Sequence, residues 1–149
     1  RLALRCEAMA RTAKLGKAQY ESLAEFRYAL RKFTRFSEEA AQAAGITPQQ
    51  HQALLAIKGF PGRDSVTVGE LAERLCLRHH SVVELVDRLM VENLVSRTPS
   101  EEDRRQVMIG LTADGEKTLA KLSATHREQL RRIGPEITRL LERLNAPEE

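Results

Sequence analysis

Residues 101–105, Glu-Glu-Asp-Arg-Arg, place three carboxylates and two guanidiniums in five consecutive positions. A guanidinium presents several N–H donors in a planar fork, which suits it to phosphate oxygens or to a narrow, electronegative minor groove. Just downstream, Val107, Ile109 and Leu111 recur at every second position, as in a strand with one buried face. We therefore expect a charged tip that stays in solvent while an apolar strand anchors it on the core.

Adjacent histidines, His79 and His80, are the second group with potential chemistry. Neighbours on a helix point about 100° apart, so one ion does not readily take both, and we predict no metal site. No nucleophile, base and orienting group fall into a recognisable spacing, and no Gly-rich phosphate loop is present. We expect a protein that is not an enzyme and needs no cofactor.

Composition limits the fold class. A chain of 149 residues with 42% apolar residues, little aromatic content and no Trp predicts one compact, mainly helical unit. No apolar run approaches the roughly 18 residues of a membrane helix, and no signal segment opens the chain, so we expect a cytoplasmic protein without membrane contact. The net charge of +3 permits nucleic-acid binding, although residues 63–105 carry seven Lys/Arg against nine Asp/Glu.

The elements that position these residues follow from periodicity and caps. Apolar residues at spacings of three and four predict a long first helix that Gly45 ends: Tyr20, Leu23, Phe26, Leu30 and Phe33. Thr47-Pro48-Gln49-Gln50 has the pattern of a capping box, which opens a second helix that ends near Gly59.

A second capping box, Thr67 to Glu70, follows extended Ser65-Val66 and opens a third helix. A tight turn leads to a fourth helix, whose apolar face is Val82, Leu85, Val86, Leu89 and Met90. Asn93 is predicted to take the left-handed stop, and Leu94–Thr98 with the returning strand forms a β-hairpin. Thr112 caps a fifth helix that Gly134-Pro135 ends, and Pro135 opens a sixth.

A helix, a tight turn, a helix and a two-stranded hairpin are the elements of a winged helix-turn-helix, in which the second helix enters the major groove. Residues 66–115 resemble the DNA-binding half of the MarR (multiple-antibiotic-resistance regulator) family, including its wing signature of Asp103, Arg105, Leu111 and Thr112. The resemblance continues backward through residues 46–57 and forward through the last helices. We expect a helical dimerisation region at 18–46 and 112–149, a winged lobe at 47–111 and a lead or dimer arm at 1–17.

This resemblance implies a homodimer with interlocked terminal helices that grips a pseudo-palindromic duplex. It also implies a ligand-responsive regulator, which we expect to be a repressor, with a phenolic or lipophilic effector between the helical region and the lobe. The apolar seams of the predicted terminal helices fit a dimer independently. Pocket residues are expected where the first two helices meet near the lobe: Tyr28, Phe33, Phe36, His51 and Leu55.

The start of the fourth helix and the wing are expected to supply the DNA contacts, in which Val83 would touch a thymine methyl. The expected residues are Thr67, Arg78, His79, His80, Ser81, Val83, Glu84, Arg88, Arg97, Arg104 and Arg105. Ser81 or His79 could instead cap the helix. Arg104 is expected on the face of the strand opposite Arg105, and Asp103 is expected to brace the wing by pairing with Arg88 or Arg97.

Several alternatives stay open. Glu84, where many family members carry a polar or basic residue, either accepts from a cytosine amine or points along the backbone edge. Cys6 could act as an oxidant-sensing thiol, as in some members of the family, whereas Cys76 is expected to be a small buried residue. His51 and His126 are expected to be satisfied core or interface histidines, with a role in a ligand pocket as the alternative. The alternatives for the whole chain are a protein-interaction module without DNA binding and a redox-sensing regulator that acts through Cys6.

Overall fold

A computed structural model describes residues 15–147, which form five helices and one small sheet. The elements are α1 (Lys17–Ala43), α2 (Pro48–Lys58), β1 (Ser65–Val66), α3 (Val68–Leu75), α4 (His79–Val91), β2 (Val95–Pro99), β3 (Val107–Leu111) and α5 (Ala113–Asn145). The mainly helical class and the helix, turn, helix and hairpin order are confirmed.

Local caps set most of the helix starts. The Thr47 side chain accepts from the Gln50 amide at 3.1 Å and the Gln50 side chain accepts from the Thr47 amide at 2.9 Å, so the predicted capping box is complete. The box at α3 is only half formed: Thr67 accepts from the Glu70 amide, but the Glu70 carboxylate is taken by the Thr67 hydroxyl and by Arg63. Asn93 has a φ of 56°, the predicted left-handed conformation.

The sheet has three antiparallel strands in the order β1-β3-β2, one more than the predicted hairpin. Ser65 pairs with Gly110 and Val66 with Ile109, so β3 is the central strand. Because β3 contacts α2, α3 and α5, neighbouring residues on its two faces are both covered, and Met108 is buried beside Ile109. The predicted alternation of buried and exposed residues along this strand is wrong at Val107, the first residue of β3, whose exposed fraction is 48%.

The core lies in the lobe, where α2, α3 and α4 pack against the sheet. Its largest fully buried side chains are Leu54, Ile57, Val66, Leu71, Val82, Val86, Leu89 and Ile109. The predicted apolar face of α4 is confirmed except at Met90, which is more than one-third exposed. Met90 follows Leu89 by one residue and is turned about 100° away from the buried stripe.

The last helix runs without interruption from Ala113 to Asn145, and Pro135 lies inside it. The predicted end at Gly134 and the predicted sixth helix are therefore wrong. A proline in a helix interior removes one backbone hydrogen bond and costs about 3 kcal/mol or more. Packing of α5 along α1, the most extensive contact between any two helices of the described chain, offsets that cost.

The long helices leave apolar side chains in solvent when the chain is taken alone. On α1, Tyr20, Leu23 and Leu30 are more than one-third exposed, and on α5 so are Leu130 and Leu141. Between residues 15 and 147, no helix combines the length and apolar character needed to cross a membrane.

Candidate nucleic-acid interface

The turn between α3 and α4 fixes the angle at which α4 leaves the core. Cys76 ends α3 in the left-handed region, with a φ of 54°, and the Leu77 amide bonds the Ala72 carbonyl at 3.0 Å. The expectation that Cys76 is buried is wrong: its thiol is exposed and free, because the left-handed turn directs Cys76 outward while Leu77 packs against the core. Arg78, in extended conformation, then starts α4.

The first turn of α4 is open to solvent. Arg78, His79 and His80 are exposed, and no side chain caps the helix, so the alternative in which Ser81 or His79 caps it is not observed. Uncapped amides and the positive end of the helix dipole favour a phosphate oxygen at this position. Ser81, in the same turn, and Val83, in the next, are partly exposed.

Glu84 and Arg88 lie on the exposed side of the same helix. Within the described residues neither makes an ion pair, so both remain open to contacts outside this chain. Thr67 is partly buried, and its hydroxyl is engaged at the start of α3.

The tip of the wing, residues 100–106, is shaped by its own hydrogen bonds. The Ser100 amide donates to the Gln106 carbonyl at 2.9 Å, and the Ser100 hydroxyl accepts from the amides of Glu102 and Asp103. An Asp103 carboxylate oxygen accepts from the Arg105 amide at 3.0 Å. Asp103 therefore braces the turn through the backbone.

Two predictions about this tip are wrong. Asp103 pairs with neither Arg88 nor Arg97, because the guanidinium of Arg97 is held by Asp87 at 2.7 Å. Arg104 and Arg105 do not lie on opposite faces of a strand, because β3 begins only at Val107. Both arginines are exposed in the turn.

Three of the five expected pocket residues come together around His126 of α5. The ring centroid of His126 lies 4.7 Å from that of His51, 5.6 Å from that of Phe36 and 6.0 Å from that of Phe33. The other two expected residues, Tyr28 and Leu55, are about half exposed and do not join the cluster. A cavity of about 320 Å³ borders the cluster at Phe33 and Ser37 and extends to Gln49 and Gln52 of α2.

The two histidines of this cluster differ in their hydrogen bonding. His126 has a partner for each ring nitrogen, the Leu122 carbonyl at 2.6 Å and the Ser37 hydroxyl at 2.7 Å, as expected of a satisfied histidine. His51 is 2% exposed, and its Nδ1 has no partner within the described chain, so the same expectation is wrong for His51. Burial lowers the pKa of His51, and the nearby His126 lowers it further. Both effects favour the neutral form of the His51 ring.

The expected pocket did not include His126. The sequence placed this residue on the apolar side of the last helix, but it did not show which helix would pack against it, because α1 and α5 meet only in the folded chain.

No three His, Cys, Asp or Glu side chains in residues 15–147 are grouped so that they could hold a metal ion. Cys6 lies outside the described residues.

An exposed helix start beside a three-stranded sheet whose tip exposes two arginines defines the winged helix-turn-helix class of DNA-binding proteins. The sequence profile of the MarR family matches residues 44–106. The chain is 30% identical to the organic hydroperoxide resistance transcriptional regulator of Bacillus subtilis, over 77% of this chain and 83% of that one. It belongs to the MarR family and is a DNA-binding transcription regulator.

One further curated relative matches about half of the chain, and solved structures share its fold. The HTH-type transcriptional repressor MdtR of Bacillus subtilis is 35% identical over 52% of this chain, which spans only 48% of that repressor's length. A MarR family protein from Bacillus stearothermophilus has a similar solved structure, with a TM-score of 0.68 at 25% identity over 80% of this chain and 81% of that one. A point mutant of Staphylococcus aureus MepR, solved bound to an oligodeoxyribonucleotide, gives a TM-score of 0.63 at 21% identity over 85% and 98% of the two chains.

Proposed function

We propose that this regulator is a cytoplasmic, ligand-responsive repressor that binds a pseudo-palindromic duplex as a homodimer. In this proposal α4 reads base edges in the major groove, and the wing tip holds the backbone or the minor groove. The relative named as a repressor and the solved DNA complex of a similar fold support the proposal. We expect no catalytic turnover.

The observation that carries the proposal is the exposed tip of the wing. Asp103 and Ser100 hold the turn by hydrogen bonds, so the two arginine side chains project from a fixed backbone. The ends of the turn pair within the sheet at Pro99 and Val107, and residues 101–106 are all exposed. We assign Arg105 to phosphate or the minor groove, and Arg104, equally exposed, to the adjacent backbone.

Arg105→Ala tests this assignment. Duplexes are first selected from a random library with the native chain, and binding is then followed by fluorescence anisotropy across a salt series. We expect affinity for the selected duplex to fall about tenfold, and the salt dependence to become shallower by about one ion per arginine lost from a phosphate.

Arg127→Ala is the matched control, since Arg127 is an exposed arginine on α5, outside both α4 and the wing. This variant is expected to bind as the native chain does. Equal losses in both variants would show a general charge effect and contradict the assignment. If the native chain enriches no duplex, the repressor proposal itself fails, and the alternative of a protein-interaction module without DNA binding takes its place.

The homodimer is supported by the apolar side chains that α1 and α5 expose. A hollow of about 790 Å³ between the start of α1 and the end of α5 is lined by Leu15, Leu23 and Leu144, among others. Large apolar surfaces rimmed by polar residues mark interaction sites. A second copy of the chain would cover this surface with the same helices.

For the effector we propose the cluster of Phe33, Phe36 and His51, between the helical region and the lobe. The aromatic rings would cover an apolar or phenolic ring, and the unpaired Nδ1 of His51 would bond its polar group. Isothermal titration of the native chain and of His51→Phe with phenolic and lipophilic acids tests the pocket. Loss of binding in the variant alone is expected, and unchanged binding would place the effector elsewhere.

The two alternatives to this proposal are an interaction module without DNA binding, and a redox-sensing regulator that acts through Cys6. The comparisons do not favour an interaction module without DNA binding. A thiol switch at Cys6 stays a prediction, and the relative named for organic hydroperoxide resistance gives a reason to test it. Cys6→Ser is expected to abolish an oxidant response and to leave resting affinity unchanged if that switch exists.

A further inference from the structure

An ion pair links the helix that enters the major groove to the wing. The guanidinium Nη2 of Arg97, in the middle of β2, lies 2.7 Å from Oδ1 of Asp87 on α4. The side chains are 35% and 55% exposed, so solvent screens the pair and it adds little to the free energy of unfolding. Its importance must therefore come from where it lies.

The pair closes the angle between the two elements. A short turn at residues 92–94 joins α4 to β2, and the bond from the Leu94 amide to the Leu89 carbonyl fixes that corner. Asp87 stands six residues before Asn93 and Arg97 four residues after it, roughly 9 Å along the helix and 13 Å along the strand. Among the described residues, no other side-chain hydrogen bond or ion pair joins α4 to the wing.

From this geometry we propose that Asp87 is a positioning residue for sequence recognition. Through Arg97 it sets the orientation of the wing relative to α4, so that base contacts and the wing contact form on the same duplex. The inference rests on the proposed function, in which both elements touch DNA. It also gives Arg97 a structural partner on α4, Asp87, in place of the predicted Asp103.

A positioning role and a simple charge effect make opposite predictions. Asp87→Asn removes one negative charge from a surface that faces a polyanion, and charge alone would strengthen binding to any duplex. Loss of the tie would instead weaken the specific complex, because the helix and the wing would no longer be held in register. The ratio of specific to non-specific affinity therefore distinguishes the two.

The experiment measures that ratio by fluorescence anisotropy, with the duplex selected by the native chain and a scrambled duplex of equal composition. We expect Asp87→Asn to lower the ratio about tenfold, while affinity for the scrambled duplex stays equal or rises. Glu39→Gln is the matched control, because Glu39 pairs with Arg35 on α1 at 3.0 Å and its loss changes net charge equally. Its ratio is expected to stay at the native value.

Two further variants separate position from stability. Asp87→Arg combined with Arg97→Asp restores a pair of opposite charges at unchanged net charge and is expected to recover most of the ratio. Amide hydrogen exchange without DNA should be faster in β2 and β3 of Asp87→Asn, and unchanged in α2. This measurement remains informative even if the native chain selects no duplex, a result that would defeat the proposed function alone.

A ratio that is unchanged or higher in Asp87→Asn overturns the positioning role. The same conclusion follows if exchange in the wing is unchanged.

Discussion

His51 brings an imidazole nitrogen into the interior without a partner, next to a second imidazole. Burial is the larger cause that lowers its pKa, and His126 adds to it. On acidification, His51 of the unfolded chain takes up a proton near the ordinary histidine pKa of about 6.5, before His51 of the folded chain does. The contribution of the neutral ring to the stability of the fold is therefore fully present only above that pH. Stability is expected to fall as the pH drops from about 6.5 through the lowered pKa of the folded state.

Urea unfolding at pH 7.5 and at pH 5.5 measures this effect. The native chain should lose more stability on acidification than His51→Phe, which cannot take up the proton. His80→Phe is the control, since it replaces a histidine with the same residue at an exposed position of α4. An identical pH dependence in the native chain and in His51→Phe would show that another group is responsible.

Features that depend on neighbours in the chain were predictable at this scale. The left-handed Asn93 and the Thr47 cap follow from residue type within three or four positions. The partner of a charged side chain was not predictable. Arg97 pairs with Asp87 and not with Asp103, because α4 and β2 come together only in the folded chain. Neither did the sequence indicate that His51 would lack a partner, since that depends on three helices.

Among the elements, the start of α5 depends on a close approach of two backbones. A Cβ atom on Gly115 would lie 2.0 Å from the Leu94 carbonyl oxygen, which also accepts from the Thr112 amide at 3.1 Å. Gly115→Ala must push α5 away from the corner that joins α4 to the wing. We expect it to lower the free energy of unfolding by about 3 kcal/mol, in the upper range for overpacking.

Thermal and urea unfolding of Gly115→Ala check this value. Gly134→Ala is the control on the same helix, because a Cβ there meets nothing within 4 Å and the change should be neutral or stabilising. A Gly115→Ala variant as stable as the native chain would mean that the corner yields without cost.

The predicted elements were correct wherever a cap or an apolar stripe marked them. The two errors, the third strand and the sixth helix, share a physical cause. Two residues, Ser65 and Val66, are too few for a strand signal, and they pair because β3 offers a free edge. Pro135 stays within a helix because α1 supports α5 along its length.

For the whole molecule, the exposed seam of α1 predicts the oligomeric state. Leu23→Asp would place a charge in the proposed interface, and we expect the dissociation constant of the dimer to rise by about thirtyfold or more. Sedimentation equilibrium measures the change. Leu55→Asp is the control, since Leu55 is similarly exposed on α2, outside the seam. A native chain that sediments as a monomer, or equal effects of both variants, would contradict the proposed interface.

The pairing of α1 with α5 also determines the order in which parts of the protein are completed during synthesis. Within residues 47–112 many contacts join elements that follow one another in the chain, so much of the lobe can form before α5 is complete, while Leu119 and Leu122 of α5 complete its core. Helix α1, in contrast, can pack against its main partner only after α5 has been synthesised. Until then α1 carries an uncovered apolar face, and this nascent chain is the form of the protein that most needs a chaperone.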